Sequence, residues 1–253
     1  MRLPPLRRSR ATATEAKRSL ERELSGLAAE DRPIVERSLA YTMTGVARLQ
    51  ALVDSVRYLQ RRGLRGSFVE CGVWRGGSVL AMITTLQQMQ AEPRELWLYD
   101  TFEGMTAPTE HDVSSLEPPA LETWKQASAR ERQPWADLFK PEAFNEQIVR
   151  DTVLGSGYPA ERVHFVRGPV EETLPATLPQ DGIALLRLDT DWYESTLHEL
   201  AHLYPLLTAG GVLIIDDYGH WDGARRAVDE YFAASTPVLL QRIDYTGRLV
   251  IKP

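Results

Sequence analysis

The chain has little cysteine, no long apolar run and no excess of basic residues. A single cysteine, Cys71, excludes an internal disulfide and favours a reducing compartment such as the cytoplasm. No run of about 18 apolar residues occurs, so we expect no membrane span. The net charge of −6 argues against a nucleic-acid partner, because phosphate binding requires a basic surface. At 253 residues, one α/β domain, with or without an appendage, is expected.

The first residues are basic and lack the apolar segment of a secretory signal. Arg2, Arg7, Arg8 and Arg10 all precede the first acid, Glu15. A transit peptide and a frayed basic tail both fit this composition, and we favour the tail.

Apolar residues recur at helical spacing from residue 15 to residue 60. Pro33 fits the first turn of a helix, and a longer apolar stripe follows from Leu39 to Val56. The stripe fits a helical cap that packs on the rest of the chain. It also fits a cap that encloses a pocket or forms an interface between copies. We therefore predict a tail and helical cap over residues 1–60, before an α/β domain over residues 61–253.

A strand, a glycine-rich turn and a helix open the α/β domain. Residues 66–78 read GSFVECGVWRGGS and continue into the apolar segment VLAMI. This order is typical of nucleotide binding. The spacing is not GxGxxG, however, and Glu70 places an acid where a pyrophosphate needs neutral or positive surroundings. Both features argue against a nicotinamide oxidoreductase and favour a cationic cofactor without phosphate, such as S-adenosylmethionine (SAM).

The second strand is predicted at Leu96–Asp100. An acid at the end of this strand commonly holds ribose hydroxyls, so Asp100 is a candidate cofactor ligand. A turn or helix-capping role for Asp100 is equally open.

A long polar, proline-containing segment follows, from Thr101 to about Phe139. A loop of this length is usually functional or disordered. Trp124 and Trp135 argue against disorder, so we predict a lid-like insertion at about residues 101–139.

The remaining chain alternates predicted strands and helices. Helices are predicted at Pro141–Leu154, Tyr193–Leu207 and Gly223–Ala234. Strands are predicted at Val163–Gly168, from Ile183 to Asp189, from Val212 to Asp216 after the break at Gly210-Gly211, at Val238–Ile243 and at Leu249–Ile251. The last two strands flank a turn, DYTG, that is typical of a hairpin. A seven-stranded, mostly parallel sheet with a C-terminal antiparallel hairpin favours a methyltransferase over a dehydrogenase.

Carboxylates follow two neighbouring predicted strands. Asp189 and Asp191 end one strand, and Asp216 and Asp217 end the next. Open α/β sheets bind ligands at this edge. Three carboxylates there repel one another unless a cation joins them, so Asp189, Asp216 and Asp217 are predicted ligands of Mg²⁺ or Mn²⁺. Helix caps and turns are the structural alternative. No His or Cys lies at ligand spacing with these acids, which argues against zinc.

Asp191 lies two residues after Asp189. In an extended backbone this spacing keeps both side chains on one side. Asp191 is therefore predicted to lie near the metal without ligating it, where it acts as a general base.

Four stretches in chain order carry a family resemblance: VECGVWRGGS, LYDTFEGM, RLDTDWYEST and GGVLIIDDYGHWDGARRAVDEYF. Over roughly Tyr41 to Pro253 the chain resembles the macrocin O-methyltransferase family. Its members are metal- and SAM-dependent sugar O-methyltransferases of macrolide and aminocoumarin antibiotic biosynthesis. The resemblance implies a Rossmann-like class I SAM-dependent methyltransferase fold, SAM and Mg²⁺ as cofactors, and a sugar hydroxyl as acceptor. Thr106 stands where the family often has Ser, and residues 109–139 match less clearly.

The resemblance also implies roles for residues in these stretches. Asp191 would be the catalytic base, and Asp189, Asp216 and Asp217 the metal ligands. The implied cofactor contacts are Glu70, Cys71, Gly72 and Val73 in the glycine-rich turn, with Asp100, Thr101 and Asp189. Tyr218, His220 and Trp221 follow the Asp pair and could line the acceptor side.

The predicted reaction is methylation of a deoxysugar hydroxyl on a glycosylated natural product. The predicted partner is a small-molecule glycoside, and the chain is expected to form a homo-oligomer. The alternatives are a catechol-like aromatic diol as acceptor, or a SAM-binding protein without catalysis.

Overall fold

The chain is described from a computed structural model that covers residues 13–130 and 134–253. The predicted basic tail with Arg2, Arg7, Arg8 and Arg10 lies outside the described residues. Within those two ranges, no helix is both long and apolar enough to cross a bilayer. The cytoplasmic location stays a prediction.

Seven strands form one sheet in the order β3-β2-β1-β4-β5-β7-β6. The strands are β1 (Ser67–Cys71), β2 (Leu96–Asp100), β3 (Val163–Arg167), β4 (Ile183–Leu188), β5 (Leu207–Ile215), β6 (Gln241–Arg242) and β7 (Arg248–Ile251). Strands β1 to β5 pair in parallel, whereas β7 is antiparallel to both β5 and β6. The predicted α/β sheet, mostly parallel with a C-terminal antiparallel hairpin, is confirmed.

Helices cover both faces of this sheet, as a parallel sheet requires. They are α1 (Ala13–Ser25), α2 (Arg32–Leu39), α3 (Val46–Arg61), α4 (Gly77–Gln88), α5 (Ala120–Ser128), α6 (Glu146–Leu154), α7 (Val170–Thr173), α8 (Tyr193–Leu203) and α9 (Asp222–Ala233). The strand order reverses between β1 and β4, which is where ligands bind in open α/β sheets. The carboxyl ends of β1, β4 and β5 therefore position the candidate site.

The N-terminal apolar stripe is buried within the chain itself. Val46, Leu49, Val53 and Val56 on α3 are each less than 5% exposed and belong to the main core. The predicted helical cap is confirmed, but the stripe is not one continuous helix. It breaks after α2 and leaves Met43 in a connecting loop, 57% exposed. Because the stripe is covered, it lends no support to a homo-oligomer, which stays a prediction.

Two predicted helix boundaries were wrong. Helix α6 begins at Glu146 rather than Pro141, because Asn145 caps it by accepting a 3.0 Å hydrogen bond from the Ile148 N–H. The helix predicted to reach Leu207 ends at Leu203, and a short 3-10 turn containing Pro205 follows.

The strands at the end of the sheet also differ from prediction. Strand β5 begins at Leu207 and runs through Gly210-Gly211, where the Gly210 N–H donates to the Lys252 carbonyl oxygen at 2.8 Å. Strand β6 covers only Gln241–Arg242 instead of Val238–Ile243. Leu239 is 82% exposed, so its apolar side chain does not pack into the core.

The segment over residues 101–139 contains α5 and packs beside the carboxyl edge of the sheet. Buried Asp112 holds it there, because its Oδ1 accepts the Tyr193 N–H at 2.7 Å and its Oδ2 accepts the Thr109 N–H at 2.6 Å. The lid-like role of this segment and the boundary between residues 60 and 61 stay predictions.

Candidate active site

The glycine-rich turn meets β4 at Gly72. Gly72 adopts a left-handed φ of 79°, and its N–H donates to the Tyr99 carbonyl oxygen at 2.9 Å. A Cβ at this position would lie 1.9 Å from the Asp189 carbonyl oxygen. Only glycine therefore allows the turn to approach the end of β4 so closely.

Asp100 ties this turn to the end of β2. Its Oδ2 accepts the N–H groups of Val73 and Trp74 at 2.6 and 3.0 Å, and its Oδ1 accepts the Phe102 N–H at 2.7 Å. Burial raises the pKa of Asp100, and these hydrogen bonds oppose that shift. The carboxylate thus has the turn-forming role that the sequence left open, and its contact with ribose stays a prediction.

A cleft of about 680 Å³, including the part open to solvent, lies at this edge of the sheet. Four predicted cofactor residues line it: Gly72, Asp100, Thr101 and Asp189. Its other walls include Met43, Trp74, Tyr99, Met105, Phe139, Phe144, Val170 and Glu171. The side chains of the other three predicted cofactor residues, Glu70, Cys71 and Val73, are buried. A contact from Cys71 or Val73 to a ligand would therefore come from the backbone.

The three predicted metal ligands come together at the ends of β4 and β5. One carboxylate oxygen from each of Asp189, Asp216 and Asp217 lies within 4.8 Å of the others. Asp216 and Asp217 are 3% and 8% exposed, whereas Asp189 lines the cleft. This geometry allows the three acids to share one cation.

Buried Arg187 links the acids of three strands. Its Nη1 donates to Glu70 Oε1 at 2.5 Å and to Asp189 Oδ2 at 2.7 Å. Its Nη2 donates to Asp216 Oδ1 at 2.5 Å and to Thr44 Oγ1 at 2.7 Å. Burial raises the pKa of Glu70, and Arg187 opposes that shift. Glu70 therefore has a protein cation as its partner, although its Oε2 accepts no hydrogen bond within the described residues.

A second guanidinium reaches Asp216 from the helical cap. Arg48 on α3 donates from Nη1 to Asp216 Oδ2, and from Nε to Asp244 Oδ2 at 3.1 Å. Both carboxylate oxygens of Asp216 are thus hydrogen-bonded to arginines. The sequence did not predict a role for either arginine.

Asp191 lies beside Asp217, but the predicted reason was wrong. Asp191 has a left-handed φ of 65°, so the backbone at this residue is not extended. Its N–H donates to Asp217 Oδ2 at 3.1 Å, and its Oδ1 accepts the Trp221 Nε1–H at 2.6 Å. Burial, reinforced by the neighbouring carboxylates, raises the pKa of Asp191 to about 7 and that of Asp217 well above its usual value.

The buried acids outnumber the cations that reach them. Across residues 13–130 and 134–253, no lysine or arginine forms an ion pair with Asp191 or Asp217. Carboxylate oxygens are the ligands that Mg²⁺ and Mn²⁺ prefer. The donor set and the missing positive charge therefore fit a divalent cation on Asp189, Asp216 and Asp217.

Aromatic residues form the wall next to Asp191. Trp221 is 6% exposed and packs edge-on against Trp192 at 5.0 Å between ring centroids. Trp192 donates from Nε1 to the Thr106 carbonyl oxygen at 3.0 Å, and its ring lies 5.8 Å from that of Trp135. Segment 101–139 thus contacts Asp191 through a row of tryptophans.

The two other predicted acceptor residues, Tyr218 and His220, have hydrogen-bond partners other than Asp191. The Tyr218 hydroxyl donates to Asp229 Oδ1 at 2.8 Å, and His220 Nδ1 lies 3.1 Å from the Tyr245 hydroxyl. Of the three predicted acceptor residues, Trp221 is the one hydrogen-bonded to Asp191.

Comparison with known proteins places the chain in a family. The sequence model described as Macrocin-O-methyltransferase (TylF) matches residues 6–251. Demethyldecarbamoylnovobiocin O-methyltransferase of Streptomyces niveus is 34% identical over 77% of this chain and 68% of the relative. Mycinamicin III 3''-O-methyltransferase of Micromonospora griseorubida is 32% identical over 80% of this chain and 72% of the relative. The 8-demethyl-8-(2,3-dimethoxy-alpha-L-rhamnosyl)-tetracenomycin-C 4'-O-methyltransferase of Streptomyces olivaceus is 36% identical over 83% of this chain and 75% of the relative.

Solved structures agree with this assignment. The O-methyltransferase NovP has a TM-score of 0.70 and 31% identity, over 84% of this chain and 82% of NovP. The calicheamicin methyltransferase CalS11 has a TM-score of 0.60 at 21% identity, over 96% of this chain and 94% of CalS11, which supports the fold alone. The Rossmann-like class I SAM-dependent methyltransferase fold is confirmed, and a nicotinamide oxidoreductase is excluded. The chain is a SAM-dependent O-methyltransferase that belongs to the macrocin O-methyltransferase family.

Proposed function

We propose that the chain methylates a hydroxyl of a deoxysugar on a glycosylated natural product, with Mg²⁺ as a second cofactor. The observation that carries the proposal is the set of Asp189, Asp216 and Asp217 oxygens within 4.8 Å of one another, beside the cleft. Mn²⁺ would suit the same oxygen ligands. The acceptor class is supported by the relatives' names, one of which specifies a rhamnosyl group.

When bound, SAM supplies an electrophilic methyl group, and Mg²⁺ supplies a Lewis acid that lowers the pKa of a coordinated hydroxyl. We assign the metal to Asp189, Asp216 and Asp217. Arg187 would orient Asp189 and Asp216, because it donates to both of them. Gly72, Asp100 and Thr101 line the cleft that we assign to SAM.

Asp191 is the proposed general base. Its carboxylate lines the same cleft as Asp189 and would accept the proton of the acceptor hydroxyl. The indole N–H of Trp221 and the bond from the Asp191 N–H to Asp217 would hold this carboxylate in one orientation. Burial raises the pKa of Asp191, which makes its carboxylate a stronger proton acceptor.

Segment 101–139 is the proposed acceptor-facing lid. Thr106 lines the cleft and its carbonyl oxygen accepts the Trp192 indole N–H, while Asp112 fixes the segment to the start of α8. These contacts would put segment 101–139 next to the reacting hydroxyl. We propose that this segment selects the acceptor.

A panel of acceptors tests the proposed function. Each deoxysugar glycoside would be paired with its own sugar-free aglycone, and a catechol would be included. With SAM and Mg²⁺, we expect mass spectrometry to detect a methylated sugar in one or more glycosides and no methylation of the aglycones. Methylation of the catechol alone would contradict a sugar acceptor and support the aromatic alternative. The Asp191→Asn variant is the matched control for enzyme-dependent transfer.

A further inference from the structure

We propose that Arg48 occupies Asp216 Oδ2 in the metal-free enzyme, and that metal binding displaces it from this oxygen. The inference rests on the metal site proposed above. It assigns a positioning residue to the helical cap, which carries none of the predicted ligands.

The two arginines on Asp216 divide its oxygens between them. Arg187 holds Oδ1 at 2.5 Å, and Arg48 holds Oδ2. Both ion pairs are shielded from water, because the Asp216 side chain is 4% exposed and the Arg48 side chain 12%. A metal that takes an oxygen of Asp216 must therefore compete with a guanidinium group.

Arg187 is the harder of the two to displace. It belongs to a strand that is buried throughout, and its side chain is 2% exposed. Its guanidinium also holds Glu70 and Asp189 at 2.5 and 2.7 Å. Movement of Arg187 would leave buried Glu70 and half-buried Asp189 without their guanidinium partner, which is costly in a low-dielectric interior.

Arg48 has an alternative partner that stays in place. Its Nε donates to Asp244 Oδ2 at 3.1 Å. Asp244 is fixed in the hairpin turn, where its Oδ1 accepts the N–H groups of Thr246 and Gly247 at 2.9 and 2.7 Å. Arg48 can therefore release Asp216 Oδ2 and keep an ion pair at the turn.

Electrostatic repulsion between the metal and Arg48 predicts that each weakens the binding of the other to Asp216. A divalent cation next to Asp216 repels a guanidinium on the same carboxylate, and burial weakens the screening of that repulsion. Metal binding must overcome the Arg48–Asp216 pair. The cap helix α3 and the hairpin turn, which Arg48 joins, thereby become coupled to occupancy of the metal site.

Direct titration of Mn²⁺ tests this inference without methyl transfer. Free Mn²⁺ would be followed by electron paramagnetic resonance in the wild type, Arg48→Met and Arg48→Gln. We expect both variants to bind Mn²⁺ at least tenfold more tightly, which is about 1.4 kcal/mol. We also expect a lower melting temperature than wild type without metal, and a larger rise when Mn²⁺ is added. Arg48→Gln retains a polar group for Asp216 in case Arg48→Met does not fold.

Arg57 provides a matched control on the same helix. Its side chain is also 12% exposed, and it forms an ion pair with Asp31, which is 3% exposed. Arg57→Met should lower the melting temperature without changing Mn²⁺ affinity. Asp244→Asn is the second control, because it removes the charge at the turn and keeps an oxygen acceptor for the turn N–H groups. It should not tighten Mn²⁺ binding.

The outcomes separate this inference from the proposed metal site. Tighter Mn²⁺ binding in the Arg48 variants, but not in Arg57→Met or Asp244→Asn, supports displacement. Unchanged or weaker binding by the Arg48 variants, with normal wild-type binding, overturns displacement and leaves the metal site intact. Absence of Mn²⁺ binding in the wild type and in every variant overturns both.

Discussion

Replacement of Gly72 by alanine tests the close approach of the glycine-rich turn to β4. A left-handed alanine costs about 1–2 kcal/mol. The added Cβ would lie 1.9 Å from the Asp189 carbonyl oxygen, so the backbone of β4 or of the turn must move. Overpacking of this kind costs about 1–3 kcal/mol more. We therefore expect the free energy of unfolding to fall by about 2–5 kcal/mol, the sum of these two costs.

Gly157 separates the two contributions to this loss. Its φ of 80° nearly equals the 79° of Gly72, yet no described atom lies within 4 Å of a Cβ built on Gly157. Gly157→Ala should cost only the backbone part, about 1–2 kcal/mol. Urea denaturation of the wild type and both variants measures the two losses in free energy of unfolding. The comparison requires that the slope of this free energy against urea concentration is the same in all three proteins. Equal losses in the two variants would refute the steric conflict with Asp189.

Three further changes test the base, its orientation and a buried acid. Asp191→Asn should lower kcat by about 10²- to 10⁴-fold and leave SAM affinity unchanged in calorimetry; unchanged turnover would remove Asp191 from the role of base. Trp221→Phe removes the 2.6 Å hydrogen bond to Asp191 and should lower kcat without changing SAM affinity. The control Trp124→Phe, in the proposed lid, should lower kcat less. Equal effects on kcat would contradict an orienting role for Trp221. Burial raises the pKa of Glu199 well above its ordinary value. The protonated side chain therefore contributes its full stability below the unfolded pKa of about 4.3. That contribution is lost as the pH rises through the folded pKa. Glu199→Gln should therefore gain stability relative to wild type as the pH rises above about 5. A difference in unfolding free energy between the two proteins that does not change with pH would contradict the shift.

The central strands could be predicted because each apolar run stops at a charge. Strand β2, Leu96–Asp100, has the predicted bounds, and β4 ends one residue before Asp189. The edge of the sheet was harder to predict. Apolar residues from Val238 onward suggested a longer strand, but an edge strand has a partner on one side only, and Leu239 remains exposed.

The candidate site was predicted less completely than the fold. The acids could be found because adjacent parallel strands bring consecutive strand ends together. The role of Arg187 could have been predicted from the sequence, since an arginine inside a buried strand needs acidic partners. The role of Arg48 could not have been predicted, because its partner Asp216 is 168 positions away in sequence. The left-handed backbone of Asp191 depends on the packing around Asp217 and Trp221, which spacing in the sequence does not reveal.

Metal-dependent methyl transfer to a deoxysugar glycoside tests the proposed site at Asp189, Asp216 and Asp217. Wild-type enzyme would be treated with EDTA, assayed with SAM and the glycoside, and assayed again after excess Mg²⁺ is added. We expect transfer to stop with EDTA and to return with Mg²⁺, and we expect Asp217→Asn to recover little of it. Transfer that continues undiminished in EDTA, with the glycoside still methylated, would contradict a metal site at Asp189, Asp216 and Asp217.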